Sequence, residues 1–463
     1  MMAAGGATMQ YDLLVQGGTL VLPGEGLAAG DIAIANGRIA AILAPGSVVS
    51  AERTLDARGL HVFPGIVDPH THIGLGNGLA DWGSETRSAA LGGVTTLFTY
   101  LMSGESYFPV IAENLAAAQR EAVIDYGFHL VPCSEVHLVE LERYASEFGV
   151  TSFKFFTSFR GDEGAYLGIT GADDGYLFRY LRAVARLPGG LACVHPENIE
   201  VVWQLRRELQ EAGRDDLPAW NESRPDFVEA ECVSRTMIYA AQVGCPLYLV
   251  HFSSAAALRE YRAGKERFPG VPFWGETCPH YLTHTSDPAL GPLGKVNPPL
   301  RSPADTEALW QAILRGLIDT IGSDHVPRPR ARKTGSIWQA SAGFPGLATL
   351  LPVMLSEGYY QRGLPLDRIA ELCATNPARA LGVGRRKGYL HVGWDGDLTL
   401  VDLAAERTVD PAQLGSFSDY SLYEGWRLRG WPVATIVRGK VVMEEGVVVA
   451  DGGWGTYLPR RGE

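Results

Sequence analysis

The sequence predicts an α/β protein: a closed (β/α)8 barrel of the TIM type carrying a small β-sandwich built from both ends of the chain. Three observations lead there. Runs of alternating apolar and polar residues with hairpin signals lie near both termini. Between them, short apolar strands alternate with amphipathic helices, the pattern of a parallel sheet covered on its outer face. The polar residues of that middle region gather at the C-terminal ends of its strands, the face that holds the active site in such barrels.

Tyr11 to Leu22 (YDLLVQGGTLVL) and Asp31 to Leu43 (DIAIANGRIAAIL) alternate in this way, interrupted by Gly17-Gly18 and Asn36-Gly37. Asn-Gly is a strong short-range hairpin signal, because both central residues of a type I′ turn need positive φ. The pattern returns at Gly396 to Leu403 and at Val433 to Glu445, with Arg438-Gly439 as the turn. Hairpin-rich ends around one long middle bring the termini together. The expected organisation is therefore a discontinuous sandwich domain of residues 9–63 and 386–455, with a barrel domain over residues 64–385 inserted between its halves.

After the first strand, the middle offers GVTTLFTY, DYGFHLV, TSFKFF, LACVH, PLYLVHF, VPFWGETC and DTIGSDH as strands. Helices are expected at Ala112 to Glu121, Asp174 to Arg186, Glu229 to Val243 and Asp305 to Leu317. A doubly wound open sheet is the competing arrangement. Against it, no Gly-rich phosphate or dinucleotide loop follows the first strand.

Bulk properties narrow the function. A chain of 463 residues with 46% hydrophobic and 20% charged content has room for a barrel plus an accessory domain. Its formal charge of -12, with one short basic patch from Arg328 to Lys333, argues against nucleic acid or an anionic membrane surface as partner. The start, MMAAGGATMQ, has no basic leader or apolar signal core, and no stretch is long and uncharged enough to span a bilayer. The six cysteines lack CxxC spacing and sit mostly in apolar runs, as in a reduced, cytoplasmic protein.

The chemistry begins in Gly59 to His72, GLHVFPGIVDPHTH. Alternate side chains of a strand share a face, so His70 and His72 point the same way and can grip one cation. Lys154 lies among Phe153, Phe155 and Phe156 in TSFKFF. A buried ammonium there either snorkels to the barrel mouth or is carboxylated by CO2 to a carbamate whose oxygens bridge two metal ions. His195 ends LACVH, His251 follows PLYLV, and Asp324 ends TIGSD; each alone also suits a core or capping role.

Taken in order, His70, His72, Lys154, His195, His251 and Asp324 match the amidohydrolase superfamily, and the chain resembles its dihydropyrimidinase and hydantoinase group. The likeness runs through FPGIVDPHTH, SFKFF, VHPEN, LVHFSS, GETCPHYL, NPPLR, GSDH, NPARALG and IVRGKVV. It implies two divalent ions, zinc by preference. His70, His72 and Asp324 would hold one, His195 and His251 the other, and N6-carboxylated Lys154 would bridge them. It further implies that a hydroxide held between the ions opens a cyclic amide or ureide ring, with Asp324 as the catalytic proton carrier. Assembly into a homo-oligomer, a tetramer or a dimer, is implied as well. Some relatives of this fold have lost their ligands and serve as assembly proteins, but this chain shows no gap in the set.

The pattern departs from hydantoinases at three positions expected to contact substrate. Phe159 stands where they carry an oxyanion-supporting tyrosine, leaving Tyr166 or Arg160 as replacements. Asn297 replaces a serine, as in allantoinases and dihydroorotases, and Ala342 replaces an asparagine. These changes favour an allantoinase-like or other ureide or imide hydrolase as the alternative. Of the remaining polar residues, Glu276 is expected to fix a loop or a neighbouring ligand, and His280 and His325 to play supporting parts. His284 is expected to be a solvated loop residue, and Trp426 and Trp431 to pack on the sandwich or at a subunit contact.

Overall fold

Eight strands lie side by side in chain order in the computed structural model, which describes residues 10–166 and 173–460. They are Ile66–Thr71, Val94–Leu101, Asp125–Leu130, Ser152–Phe156, Leu191–His195, Leu247–Leu249, Phe273–Thr277 and Thr320–Ile321, all paired in parallel. Thr71 pairs in parallel with His325, and the His72 amide donates to His325 O at 2.8 Å. The first strand thereby meets the chain leaving the eighth, and the sheet closes into a barrel. Asp68 reinforces the seam by accepting from the Ser323 amide at 3.1 Å. Nearly every barrel-strand residue is buried, which explains why these strands read as apolar runs instead of alternating.

Helices surround the barrel at Asp81–Leu91, Tyr107–Glu121, Glu135–Phe148, Asp174–Val184, Asp226–Val243, Ala255–Arg267 and Pro303–Leu314, among others. Several begin earlier than periodicity alone suggests, for reasons of capping. The helix expected from Asp305 starts at Pro303, where Ser302 and Asp305 form a reciprocal capping box. The helix expected from Ala112 starts at Tyr107, with Ser106 accepting from the Phe108 amide.

Two expected strands are much shorter. PLYLVHF pairs only over Leu247–Leu249 and DTIGSDH only over Thr320–Ile321. Beyond these residues the chain turns out of the ladder, reaching positive φ at His251 (43°) and Asp324 (48°). L-residues adopt this conformation at a cost, and both cases sit at the barrel mouth.

The two termini build one nine-stranded sheet. His61–Pro64 joins its halves, running parallel to Tyr11–Leu22 and antiparallel to Leu398–Thr408. Leu13, Val15, Ile34 and Val62 share a core with Leu398, Leu400 and Ile436, which gives the sandwich its interior. Both predicted turns have two consecutive positive-φ residues, Asn36-Gly37 and Arg438-Gly439. Sheet and barrel are locked by Lys387, whose buried ammonium lies 2.6 Å from Asp125, 2.6 Å from Asp397 and 3.1 Å from Asp395. This acidic cluster is thus filled by a side-chain cation of the chain itself.

Candidate active site

The first barrel strand carries His70 and His72 on one face, with ring centroids 5.3 Å apart. Asp324 reaches them from the turn after the eighth strand: its Oδ1 lies 3.1 Å from His70 Nε2 and 3.2 Å from His72 Nε2. Donor atoms of these three buried residues all fall within 4.8 Å of one another. Lys154, on the fourth strand, donates from Nζ to His70 Nε2 at 2.8 Å and lies 4.3 Å over the Tyr100 ring. The rings of His195 and His251 are 4.5 Å apart, and His251 stacks 5.6 Å from His70. All six candidates from five separated segments therefore meet at the barrel mouth.

Burial sets their protonation. It pushes His72 down to about 4, against the pull of Asp324, and lowers His195 and His251 as well. Neutral imidazole is the form that binds metals. His70 differs: burial and Lys154 press its pKa down, but Glu276 and Asp324 outweigh them and raise it. Burial opposes ionisation of Asp324, yet His70 and His72 hold its carboxyl well below the usual range. Lys154 is pushed by burial down to about 8, with Asp324 and Glu276 resisting.

Two carboxylates stand behind the imidazoles. Glu276 Oε1 accepts from His70 Nδ1 at 2.7 Å and from the His251 amide at 3.1 Å, while Oε2 accepts from Tyr248 OH at 2.8 Å. Glu197 Oε2 accepts from His195 Nε2 at 2.6 Å and from Arg224 Nη1 at 3.1 Å. A carboxylate can only accept, so these bonds fix the tautomers and leave Nε2 of His70 and Nδ1 of His195 as lone-pair donors. Sequence reasoning passed over Glu197, although it follows the strand-end histidine in VHPEN. A divalent cation suits this donor set of neutral imidazoles and one carboxylate. The buried Nδ1 atoms of His72 and His251 also lack any hydrogen-bond partner among the described residues.

Above the cluster opens a cavity of about 390 Å³, lined by His72, Lys154, His195, His251 and Asp324. Phe159, Asn297 and Ala342 line it too. The Phe159 ring packs edge-on to Phe156 at 4.7 Å and lies 5.6 Å from His195. Of the two replacements considered for its missing hydroxyl, Arg160 pairs with Glu200 at 3.0 Å and does not line the cavity, whereas the Tyr166 side chain lies outside the described residues. His280 is buried 5.3 Å from the Phe344 ring. His325 faces away from the cluster, with Nε2 2.9 Å from Glu85. His284 is not solvated: it is buried, stacks 4.8 Å from Trp426, and is pushed by burial down to about 4. Trp431 donates from Nε1 to Leu428 O in the terminal sheet at 3.0 Å.

A profile of the amidohydrolase family matches residues 286–442. An L-hydantoinase of Paenarthrobacter aurescens is 34% identical over 97% of this chain and 98% of its own. An allantoinase of Solibacter usitatus is 36% identical over 97% of each chain. The solved structure of an L-hydantoinase (dihydropyrimidinase) from Arthrobacter aurescens superposes with a TM-score of 0.90 at 32% identity, covering 96% of this chain and 99% of that one.

Proposed function

The chain belongs to the amidohydrolase family and is a metal-dependent hydrolase of cyclic amides; from that premise we propose that it opens a hydantoin- or dihydropyrimidine-type ring at the His–Asp–Lys cluster. The observation that carries the reading is the approach of Asp324 Oδ1 to both His70 and His72. In this reading His70, His72 and Asp324 would hold one ion and His195 and His251 a second, with carboxylated Lys154 as a further anionic ligand. Zinc suits the imidazole-rich set. When bound, the ions supply Lewis acidity, lowering the pKa of water and polarising the amide carbonyl.

The chain's own groups do the rest. With its pKa near 8, Lys154 spends an appreciable fraction of time as the free amine, which attacks CO2 to give the N6-carbamate and releases one proton. Glu276 and Glu197 keep His70 and His195 in the required tautomers. Asp324 takes the proton of the attacking water and hands it to the departing ring nitrogen. Phe159, Asn297 and Ala342 contact the ring, the first through its aromatic face and the others through amide and main-chain groups.

A ureide-bearing ring, as in allantoin, is the second reading. It is favoured by the buried Asn297 Oδ1, which has no partner among the described residues and would accept from a ureide N–H. A panel of hydantoin, dihydrouracil, allantoin, dihydroorotate and a cyclic imide, assayed on zinc-loaded protein, ranks the two. Failure to open any ring refutes both.

The same reading divides the chain into a sandwich of residues 9–63 and 386–455 and a barrel of 64–385, and it assigns a homo-oligomer, a tetramer or a dimer. A 50.0 kDa monomer by light scattering would remove the latter. Among the described residues no helix is long and apolar enough to cross a membrane. All six cysteines are buried thiols, which supports a cytoplasmic site.

A further inference from the structure

Four charged side chains line the cavity besides the His–Asp–Lys cluster: Glu163, Arg206, Lys295 and Arg328. Their pairing is uneven. Glu163 accepts from Arg206 at 2.5 Å and from Arg224 at 3.2 Å, and Arg224 also serves Glu197 at 3.1 Å. Both acids at that side are therefore already engaged by arginines. Asp215, an exposed acid nearby, accepts from Ser336 Oγ at 2.7 Å and the Ile337 amide at 2.8 Å.

Among the described residues Lys295 meets no carboxylate. It is only 4% exposed, its Nζ donates to Ile337 O at 2.6 Å and Trp338 O at 3.3 Å, and it rests 4.0 Å over the Trp220 ring. An ammonium has three N–H groups, and among the described residues no third acceptor meets this one. Behind it, Lys333 is also buried and donates to Lys295 O at 2.7 Å and Gly343 O at 3.0 Å, again with no acid among the described residues. A buried charge lacking a counter-ion is costly, and the cost disappears when an anion arrives beside it. Burial and Arg224 push Lys295 down to about 7, with Glu163 and Asp215 only partly opposing.

We propose that Lys295 is a specificity residue, and that the cyclic amide taken by this cavity bears a carboxylate on its ring substituent, received by the free N–H of the Lys295 ammonium. This inference rests on the ring-opening reading and adds the substrate's charge to it. The aromatic walls formed by Trp220 and Trp338 set the rival possibility, a neutral aromatic substituent.

The test compares hydantoins that differ only at the end of the ring substituent: 2-carboxyethyl, 2-carbamoylethyl and benzyl. On zinc-loaded protein the carboxylate should show a KM at least tenfold below that of its carboxamide, the lower end for a charge-assisted hydrogen bond. Lys295→Met should raise KM for the carboxylate at least tenfold more than for the carboxamide, and Lys295→Arg should restore part of the preference. Preference of the wild type for the carboxamide or benzyl compound overturns the proposal. So does an equal rise in both KM values in Lys295→Met, which would mean that Lys295 only ties down residues 337–338. If Lys295→Met does not fold, the wild-type comparison decides alone. If no ring is opened at all, the catalytic reading fails separately. Calorimetry of the carboxyethyl hydantoin then decides this inference: tenfold weaker binding to Lys295→Met supports it, and equal binding overturns it.

Discussion

Glu276→Gln isolates the charge behind His70 with little change of shape. Glu276 is fully buried; its Oε1 accepts from His70 Nδ1 at 2.7 Å and the His251 amide at 3.1 Å, and its Oε2 accepts from Tyr248 OH at 2.8 Å. A glutamine can keep its carbonyl toward His70 and His251 and turn its NH2 toward Tyr248. The tyrosine hydroxyl then accepts that donor and donates to Thr320 Oγ1, 2.6 Å away. Every hydrogen bond survives in some form, so the fold should be retained. What is lost is the negative charge that makes His70 a stronger donor to a cation. Loss of such a partner weakens metal binding about 10- to 100-fold, equivalent to about 1.4 to 2.8 kcal/mol. Competition against a chromophoric chelator measures the zinc affinity, with a thermal melt of the metal-free protein as control. If the variant melts with the wild type and binds zinc within a factor of about two of it, Glu276 does not tune the site, and the reasoning built on its bond to His70 fails.

Three further outcomes are expected. Lys154→Ala should lose metal and nearly all turnover while keeping its circular dichroism, and a short carboxylic acid given with zinc should partly restore activity; a variant that keeps its metal and rate would show a merely buried lysine. Phe159→Tyr should raise kcat on unsubstituted hydantoin by a factor of about ten to a thousand if a missing oxyanion donor limits the reaction, and no gain would show that the cavity solves that problem by other means. Lys387→Met leaves Asp125, Asp395 and Asp397 with Arg438 and the half-exposed Arg386 as their remaining cations among the described residues, so urea unfolding should show a loss of about 3 to 5 kcal/mol; a change below about 1 kcal/mol would mean that this cluster does not join sheet to barrel.

Apolar patterning made the barrel legible because its strands are buried on both faces. The same signal overstated strand length. Val250 and Phe252 are as buried as the paired residues before them, yet they lie past the end of the ladder, since hydrophobicity reports removal from water and not hydrogen bonding. The Asn36-Gly37 and Arg438-Gly439 turns marked the hairpins of the terminal sheet, whereas apolar periodicity placed one helix at Asp305 although the Ser302 cap starts it at Pro303. His284 was misjudged because its polar surroundings in CPHYLTHT carry no trace of Trp426, the distant residue that covers it.

By itself the sequence determined which chemically able side chains sit at strand ends and in what order, and a closed parallel barrel then makes those ends converge. It could not say how each side chain is used. Asp324 and His325 are neighbours in the chain, but the positive φ at Asp324 turns one carboxylate to His70 and His72 while the adjacent imidazole faces Glu85. Which ring nitrogen of His70 or His195 remains a lone-pair donor depends on Glu276 and Glu197, and whether Lys295 has a counter-ion depends on nearby acids already engaged by arginines. Hydrogen bonds and ion pairs act over a few ångströms in space between residues far apart in sequence, so only the tertiary structure decided these matters.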